Sequence, residues 1–296
     1  MEKEIPKTMV SIIVPAYNEE QAVPKVIHSI KTVMSQSNIS AFEILIVDDC
    51  SSDGTLEAAN KTGVKVIKNL NNVGYGFSLK QGIKAASYDT ILIMDCDETY
   101  PTEKIPELIK KYNEGFSLVI GQRTGKYYNP SFKKLFLRKI LEALIFYTSG
   151  KKSLDVNSGM RVFSKTEIIP FFSFCSNTFS FTSSQTLIYI LCCKFIYYIP
   201  ISYSKRTGET KLKTRDVFRT FQQIVEIITL FNPIKIYLLL IVPSLLVCFS
   251  FLILYIVCGY TLLLLGALSF FLTGIILIAS ALLSLRNKFT TTLEKF

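Results

Sequence analysis

The sequence predicts an α/β fold: a mainly parallel sheet with helices on both faces, followed by a C-terminal pair of membrane-spanning helices. Three observations predict it. Through residue 125, short strands rich in β-branched residues alternate with helical stretches, the pattern of a parallel sheet covered on both sides. The polar residues of this region collect just after the strands, where open α/β sheets bind their ligands. Finally, Ile236–Cys258 and Thr261–Leu285 are apolar runs without a single charge. At ~1.5 Å per residue each is longer than the ~30 Å hydrocarbon core of a bilayer.

Taken in order, the strands are MVSIIV (9–14), FEILIV (42–47), VKVIK (64–68), TILIM (90–94) and SLVIG (117–121). Each is short and bounded by turn residues. Helices are predicted over Glu19–Ser35, Thr55–Lys61, Gly76–Ala86 and Glu103–Tyr112. From 126 to 235 the pattern changes to a basic, apolar helix over Phe132–Tyr147 and two further strands, in GMRVF and FIYYIPISY. Arg215–Phe231 is amphipathic, with Phe218, Phe221, Ile224, Val225, Ile228 and Phe231 against Arg219, Gln222, Gln223 and Glu226. That pattern suits a helix lying in the membrane interface, the alternative being one packed on the domain itself. Asn232-Pro233 breaks it before the first span, and only Gly259 and Tyr260 separate the two spans. The expected plan is a cytosolic domain over 1–213, an interface helix and linker over 214–235, two transmembrane helices within 236–285 and a cytosolic tail over 286–296.

The net charge of +10 is not spread evenly. Lys133, Lys134, Arg138, Lys139, Lys151 and Lys152 form one cluster. Lys205, Arg206, Lys211, Lys213, Arg215, Arg219 and Lys235 precede the hairpin, Arg286, Lys288 and Lys295 follow it, and its tip has no basic residue. The positive-inside rule places both flanks in the cytosol. Basic clusters beside an apolar hairpin suit anionic headgroups and phosphates, so membrane lipids are expected partners and nucleic acid is not. The first 18 residues contain no apolar run long enough for a signal peptide. The seven cysteines lack metal-ligand spacing and read as reduced thiols. His28 is the one histidine, and nothing in the sequence pairs with it.

The chemistry concentrates in ILIMDCDETYP (91–101), where a buried-looking strand runs into Asp95, Asp97 and Glu98. Carboxylates gathered at the end of a core strand repel one another and resist desolvation. A divalent cation is the natural compensation. In order and spacing, VSIIVPAYNEE, ILIVDDCSSDGT, NVGYGFSLKQGI and ILIMDCDETYP resemble family 2 glycosyltransferases of the GT-A fold. LDVNSGMRVFSK and IPISYSKRTGETKL resemble the dolichyl- or polyprenyl-phosphate sugar synthases of that family, the dolichol-phosphate mannosyltransferase type. The resemblance covers roughly Val10 to Leu212.

The resemblance implies a GT-A domain in which Asp95 and Asp97 hold Mg²⁺ or Mn²⁺ against the diphosphate of a sugar nucleotide. Thr99 stands where related proteins often carry a glutamine as an additional metal ligand. Pro15, Tyr17, Glu19, Asp48 and Asp49 correspond to the nucleotide-binding edge, although Asp48 and Asp49 also suit capping and turn duty. Ser51, Asp53 and Gly54 read as turn residues. Arg123 is expected at the donor phosphates and Arg138 at the acceptor phosphate. Arg206 and Lys211 match a basic motif that closes over the donor diphosphate or the lipid phosphate, where a guanidinium grips oxygens in pairs. Asp155 matches an acid near the acceptor, either a general base or a residue that positions a basic group. A phosphate acceptor is already largely a dianion at neutral pH and has little need of a base. The implied activity is inverting transfer of a sugar from a UDP- or GDP-sugar to polyprenyl phosphate at the cytosolic membrane face. The alternatives are a transferase with another lipid or lipid-linked glycan acceptor, and a catalytically inactive membrane scaffold.

Overall fold

The computed structural model describes residues 8–125, 132–204 and 214–293. A seven-stranded sheet forms from β1 (Met9–Ala16), β2 (Ala41–Asp48), β3 (Lys65–Lys68), β4 (Thr90–Ile93), β5 (Leu118–Thr124), β6 (Arg161–Ser164) and β7 (Ile196–Ser202). Its order is β3-β2-β1-β4-β6-β5-β7. The pairs β1–β2, β1–β4, β2–β3 and β5–β7 are parallel, and β6 alone runs antiparallel to its neighbours β4 and β5. The reversal has a local consequence. The parallel strands end at one edge, and β6 begins there, so the segment 155–161 arrives where the polar loops already meet.

The central strand explains its own composition. Ile12 and Ile13 are both fully buried, but in different cores on opposite sides of the sheet. One core takes apolar residues of α1 (Ala22–Ser35) and α4 (Ile105–Tyr112). The other takes α3 (Tyr75–Ala85), Ile145 of α5 (Phe132–Ser149) and α7 (Phe181–Leu191). Two short helices, α2 (Thr55–Lys61) and α6 (Lys165–Ile168), complete the domain. The first helix starts at Ala22 and not at Glu19, whose backbone N–H donates to Thr55 Oγ1 at 2.7 Å. Sequence reasoning missed α7. It is buried from Phe181 through Ile190, and a helix buried all round has no amphipathic period to betray it.

The amphipathic helix α8 (Thr214–Phe231) packs on the domain. Ile224, Ile227 and Ile228 are buried in the second core, packed with α7, and Gln223 Nε2 donates to the Phe174 carbonyl at 3.0 Å. Part of its apolar stripe therefore covers the domain. Phe221 and Leu230 remain exposed on it.

Two helices long and apolar enough to cross a membrane follow, α9 (Pro233–Cys258) and α10 (Thr261–Leu293). Gly259 stops α9 in the left-handed conformation (φ 71°), with its N–H on the Tyr255 carbonyl. Ala267 and Ala281 are buried in the seam, Gly274 abuts Leu245, and Ser244 Oγ donates to the Phe270 carbonyl at 2.9 Å. Small residues and interhelical hydrogen bonds are what let helices associate in lipid. The hairpin is joined to the domain at the last turn of α5. Asn232 Nδ2 donates to the Thr148 carbonyl and Lys235 Nζ to the Tyr147 carbonyl, both at 2.9 Å.

The contact of α3 with the sheet leaves no room for a methyl group, since a Cβ on Gly82 would lie 2.5 Å from Ile13 Cγ2 and 3.1 Å from Val47 Cγ2. Gly82→Ala is expected to cost about 1–3 kcal/mol by overpacking, despite its better helix propensity. The check is a lowered melting temperature of the detergent-solubilised protein.

Candidate active site

At the carboxyl edge the loops after β1 and β2 are knitted together. Asn18 N–H donates to Ser51 Oγ at 3.0 Å, and Ser52 N–H to Asn18 Oδ1 at 2.9 Å. Asp53 accepts from Thr55 N–H, the turn duty its sequence context suggests. Asn18, Cys50 and Glu98, in the loops after β1, β2 and β4, all have positive φ. Non-glycine residues are held in that region only where surrounding contacts over-determine them, typically at functional sites.

Asp48 is fully buried, and its carboxylate accepts from Ser51 N–H at 3.3 Å. Asp49 is engaged by donors of the loop after β3. Its oxygens accept from Asn69 Nδ2 (2.9 Å), Val73 N–H (3.1 Å) and Gly74 N–H (2.8 Å). It is the pin that holds the loop after β3, because an acid at this depth has to collect donors. Pro15 is buried within β1, opposite Val47, while Tyr17 and Glu19 are half-buried in the loop that follows.

Asp95 and Asp97 follow β4. Tyr75, the first residue of α3, donates its hydroxyl to Asp95 Oδ1 at 2.7 Å. Asp97 is 4% exposed, and its Oδ1 accepts from Thr99 N–H at 3.2 Å and from the Thr99 hydroxyl at 2.5 Å. Thr99 was expected as a metal ligand. It is fully buried with its hydroxyl on Asp97 Oδ1. The electrostatics fit a cation. Burial pushes the Cys96 thiol far up, helped by the negative charges of Glu19, Asp97, Asp95 and Glu98 around it. Among the described residues no three His, Cys, Asp or Glu side chains are grouped to hold a metal alone. Two carboxylates nevertheless fit Mg²⁺ or Mn²⁺, which takes its other ligands from substrate phosphates and water.

Asp155 enters from the segment before β6 and is 2% exposed. It binds Arg123, at the end of β5, in fork geometry: Nε to Oδ2 at 2.9 Å and Nη2 to Oδ1 at 2.8 Å, with the Arg123 N–H also on Oδ2 at 3.1 Å. Of the two roles open to Asp155, the geometry favours positioning a basic group. Arg123 itself, expected on donor phosphates, meets this carboxylate and lies against the Tyr203 ring at 5.6 Å. Arg206 and Lys211 lie outside the described residues, as does the side chain of Arg138. The last described residue before the basic motif, Ser204, donates its N–H to the Thr99 carbonyl at 3.0 Å, beside the Asp97 loop.

Sequence reasoning missed Tyr75, Gly159 and Arg161. Arg161 opens β6 with its guanidinium fully buried. It donates to the carbonyls of Val156, Ser158 and Thr182, to Gln185 Oε1 and to Thr186 Oγ1. All are neutral oxygens, and burial pulls this guanidinium below its ordinary value. Only the run of polar residues in FTSSQT, opposite an arginine in a strand, hinted at it.

These loops and the start of β6 all fall within residues 11–184, which match the model of glycosyl transferase family 2. The chain belongs to this family. Relatives from Salmonella choleraesuis (strain SC-B67) and Salmonella paratyphi B, both named undecaprenyl-phosphate 4-deoxy-4-formamido-L-arabinose transferase, are 33% identical over 164 residues. The match takes in 53% of this chain and 49% of each relative, so the chain spans about half the length of the curated relatives it matches. Among solved structures, glucosyl-3-phosphoglycerate synthase from Mycobacterium tuberculosis with phosphoglyceric acid superposes with a TM-score of 0.60 at 18% identity, over 74% of this chain and 79% of that one. The same enzyme with Mn²⁺, uridine diphosphate and glucosyl-3-phosphoglycerate gives 0.58 at 20% identity, over 75% and 79%. The fold is therefore the expected GT-A α/β fold of the family.

Removing either partner of the Arg123–Asp155 pair strands the other charge in a nearly dry site. Arg123→Met and Asp155→Asn are each expected to lower stability by about 3 kcal/mol. Thermal unfolding of both single variants and of the double variant checks this, with the double less destabilised than the sum of the two.

Proposed function

We propose that this protein is an inverting glycosyltransferase that moves a sugar from a UDP- or GDP-sugar to polyprenyl phosphate, dolichyl or undecaprenyl, at the cytosolic face of a membrane. One observation carries the reading. The sheet edge bearing Asp95 and Asp97 belongs to the same body as an apolar hairpin packed on α5 and α8. An acceptor that exists only in the bilayer needs such an arrangement, which fixes orientation and raises effective concentration. The names of the Salmonella relatives point to the same class of acceptor.

In this mechanism Asp95 and Asp97 hold Mg²⁺ or Mn²⁺, which when bound supplies Lewis-acid stabilisation of the departing nucleoside diphosphate. Tyr17, Glu19 and Asp48 line the nucleotide side. Asp155 sets the orientation of Arg123, and Arg138, Arg206 and Lys211 gather on phosphate oxygens. An acceptor phosphate oxygen attacks the anomeric carbon on the face opposite the leaving group, which inverts the configuration. Being a dianion, it needs no proton removed.

The test is transfer of labelled sugar from UDP- and GDP-sugars to polyprenyl phosphate in liposomes containing the purified protein. Mild acid should release the label from lipid, as expected of a glycosyl phosphate; a stable linkage would point to a hydroxyl acceptor. Transfer should stop in excess chelator and return with Mn²⁺ or Mg²⁺. Asp97→Asn should abolish it in a folded protein, because an amide offers the cation no charge. Full activity in chelator would remove the metal from the mechanism.

The orientation has its own check. Cys258 is exposed at the hairpin tip, next to Gly259. In intact cells a membrane-impermeant thiol reagent should label the protein from outside, and Cys258→Ser should remove the label. Label that persists in intact cells carrying Cys258→Ser, on the exposed Cys193 of the domain, would place the domain on the opposite side.

A further inference from the structure

We propose that Tyr75 is a positioning residue for the metal carboxylate Asp95, fixing its side chain in the rotamer that would meet a divalent cation. The proposal rests on the reading that Asp95 and Asp97 hold Mg²⁺ or Mn²⁺.

Three observations carry it. The first is the hydrogen bond itself, 2.7 Å from the Tyr75 hydroxyl to Asp95 Oδ1. A charge-assisted bond of this length fixes a short side chain in one rotamer. The second is that the phenol is not free to wander. Its ring stacks on Phe179, with centroids 5.8 Å apart and planes 17° from parallel. Its backbone is clamped on both sides: a Cβ on Gly74 would lie 2.8 Å from the Asn177 carbonyl oxygen, and one on Gly76 would lie 2.3 Å from that of Ser176. Phe77 N–H adds a bond to the Asn177 carbonyl at 3.0 Å. The first turn of α3 is thus locked to the segment before α7, and the hydroxyl is delivered to one place.

The third observation comes from the other side of Asp95. A Cβ on Gly159 would lie 2.5 Å from both carboxylate oxygens. The carboxylate is therefore seated between the Tyr75 hydroxyl and the bare α-carbon of Gly159. Thr99 treats Asp97 in the same way, with a hydroxyl on one oxygen. Each metal carboxylate is thus tied at Oδ1 by a neutral donor.

The experiment is a titration of purified full-length protein with Mn²⁺, followed by the loss of the free-ion paramagnetic resonance signal, alone and with UDP or GDP. Wild type should bind and Asp97→Asn should not; if wild type fails to bind, the underlying reading of the site falls. Given wild-type binding, Tyr75→Phe keeps the ring and its stacking and removes only the donor. It should weaken Mn²⁺ by about tenfold or more, the usual cost of losing an outer partner of a metal ligand. In the transfer assay its defect should be in the Mn²⁺ concentration for half-maximal rate, with kcat recovered at excess Mn²⁺. Gly159→Ala approaches Asp95 from the opposite side and should weaken Mn²⁺ in the same direction, which serves as the test should Tyr75→Phe not fold. Mn²⁺ affinity equal to wild type in either folded variant would overturn the proposal.

Discussion

A carboxylate buried at the end of a core strand must find compensation, and the carboxyl edge of this sheet gathers Asp48, Asp49, Asp95, Asp97 and Asp155. Desolvation penalises each of them and their mutual repulsion adds to it. The loops of the site can be understood as the set of donors that make this arrangement tolerable. Asp49 draws in the loop after β3 through two backbone N–H groups and an asparagine. Asp155 draws in Arg123, and Asp95 draws in the start of α3 through Tyr75. Burial and the nearby carboxylates of Glu19, Asp97, Asp95 and Glu98 together disfavour a thiolate at Cys96.

Arg161 meets the converse demand beneath the same edge. A guanidinium in a dry interior needs acceptors in fixed directions, and it finds them in the carbonyls of the 156–158 segment and in the first turns of α7. This explains a helix whose buried residues include Thr182, Ser183, Ser184, Gln185 and Thr186. Gln185 and Thr186 meet Arg161 with their side chains and Thr182 with its carbonyl, while Ser183 donates to Asn157 and Ser184 to the Ser180 carbonyl. The same contacts tie the segment carrying Asp155 to α7, so the acid and its arginine partner stand on a support of neutral hydrogen bonds.

Much of this was legible in the sequence and some was not, for identifiable reasons. The strands of the parallel half were legible because a strand buried on both faces reads as a continuous apolar run rich in β-branched residues, as in residues 12–14 and 44–47. Asp95 and Asp97 were legible because acids directly after such a run conflict with burial. Tyr75 sits inside a recognisable stretch, yet its contact with a carboxylate twenty residues on depends on how α3 packs on the sheet. Periodicity does not encode that. Helix α8 was legible as amphipathic, but a lipid interface and a protein core select the same apolar stripe, so the pattern alone does not say which one Ile224 and Ile228 meet. For α7 the pattern was absent, because burial on every side removes the polar face that makes a helix visible.

The join between hairpin and domain consists in part of two side chains, Asn232 and Lys235, gripping the last carbonyls of α5. These carbonyls lie only a few residues before the segment that carries Asp155. A helix in a bilayer too thin or too thick for it responds by tilting. These two bonds tie the start of α9 to the end of α5, so any change in the pitch of the hairpin reaches the domain through the carbonyls of Tyr147 and Thr148.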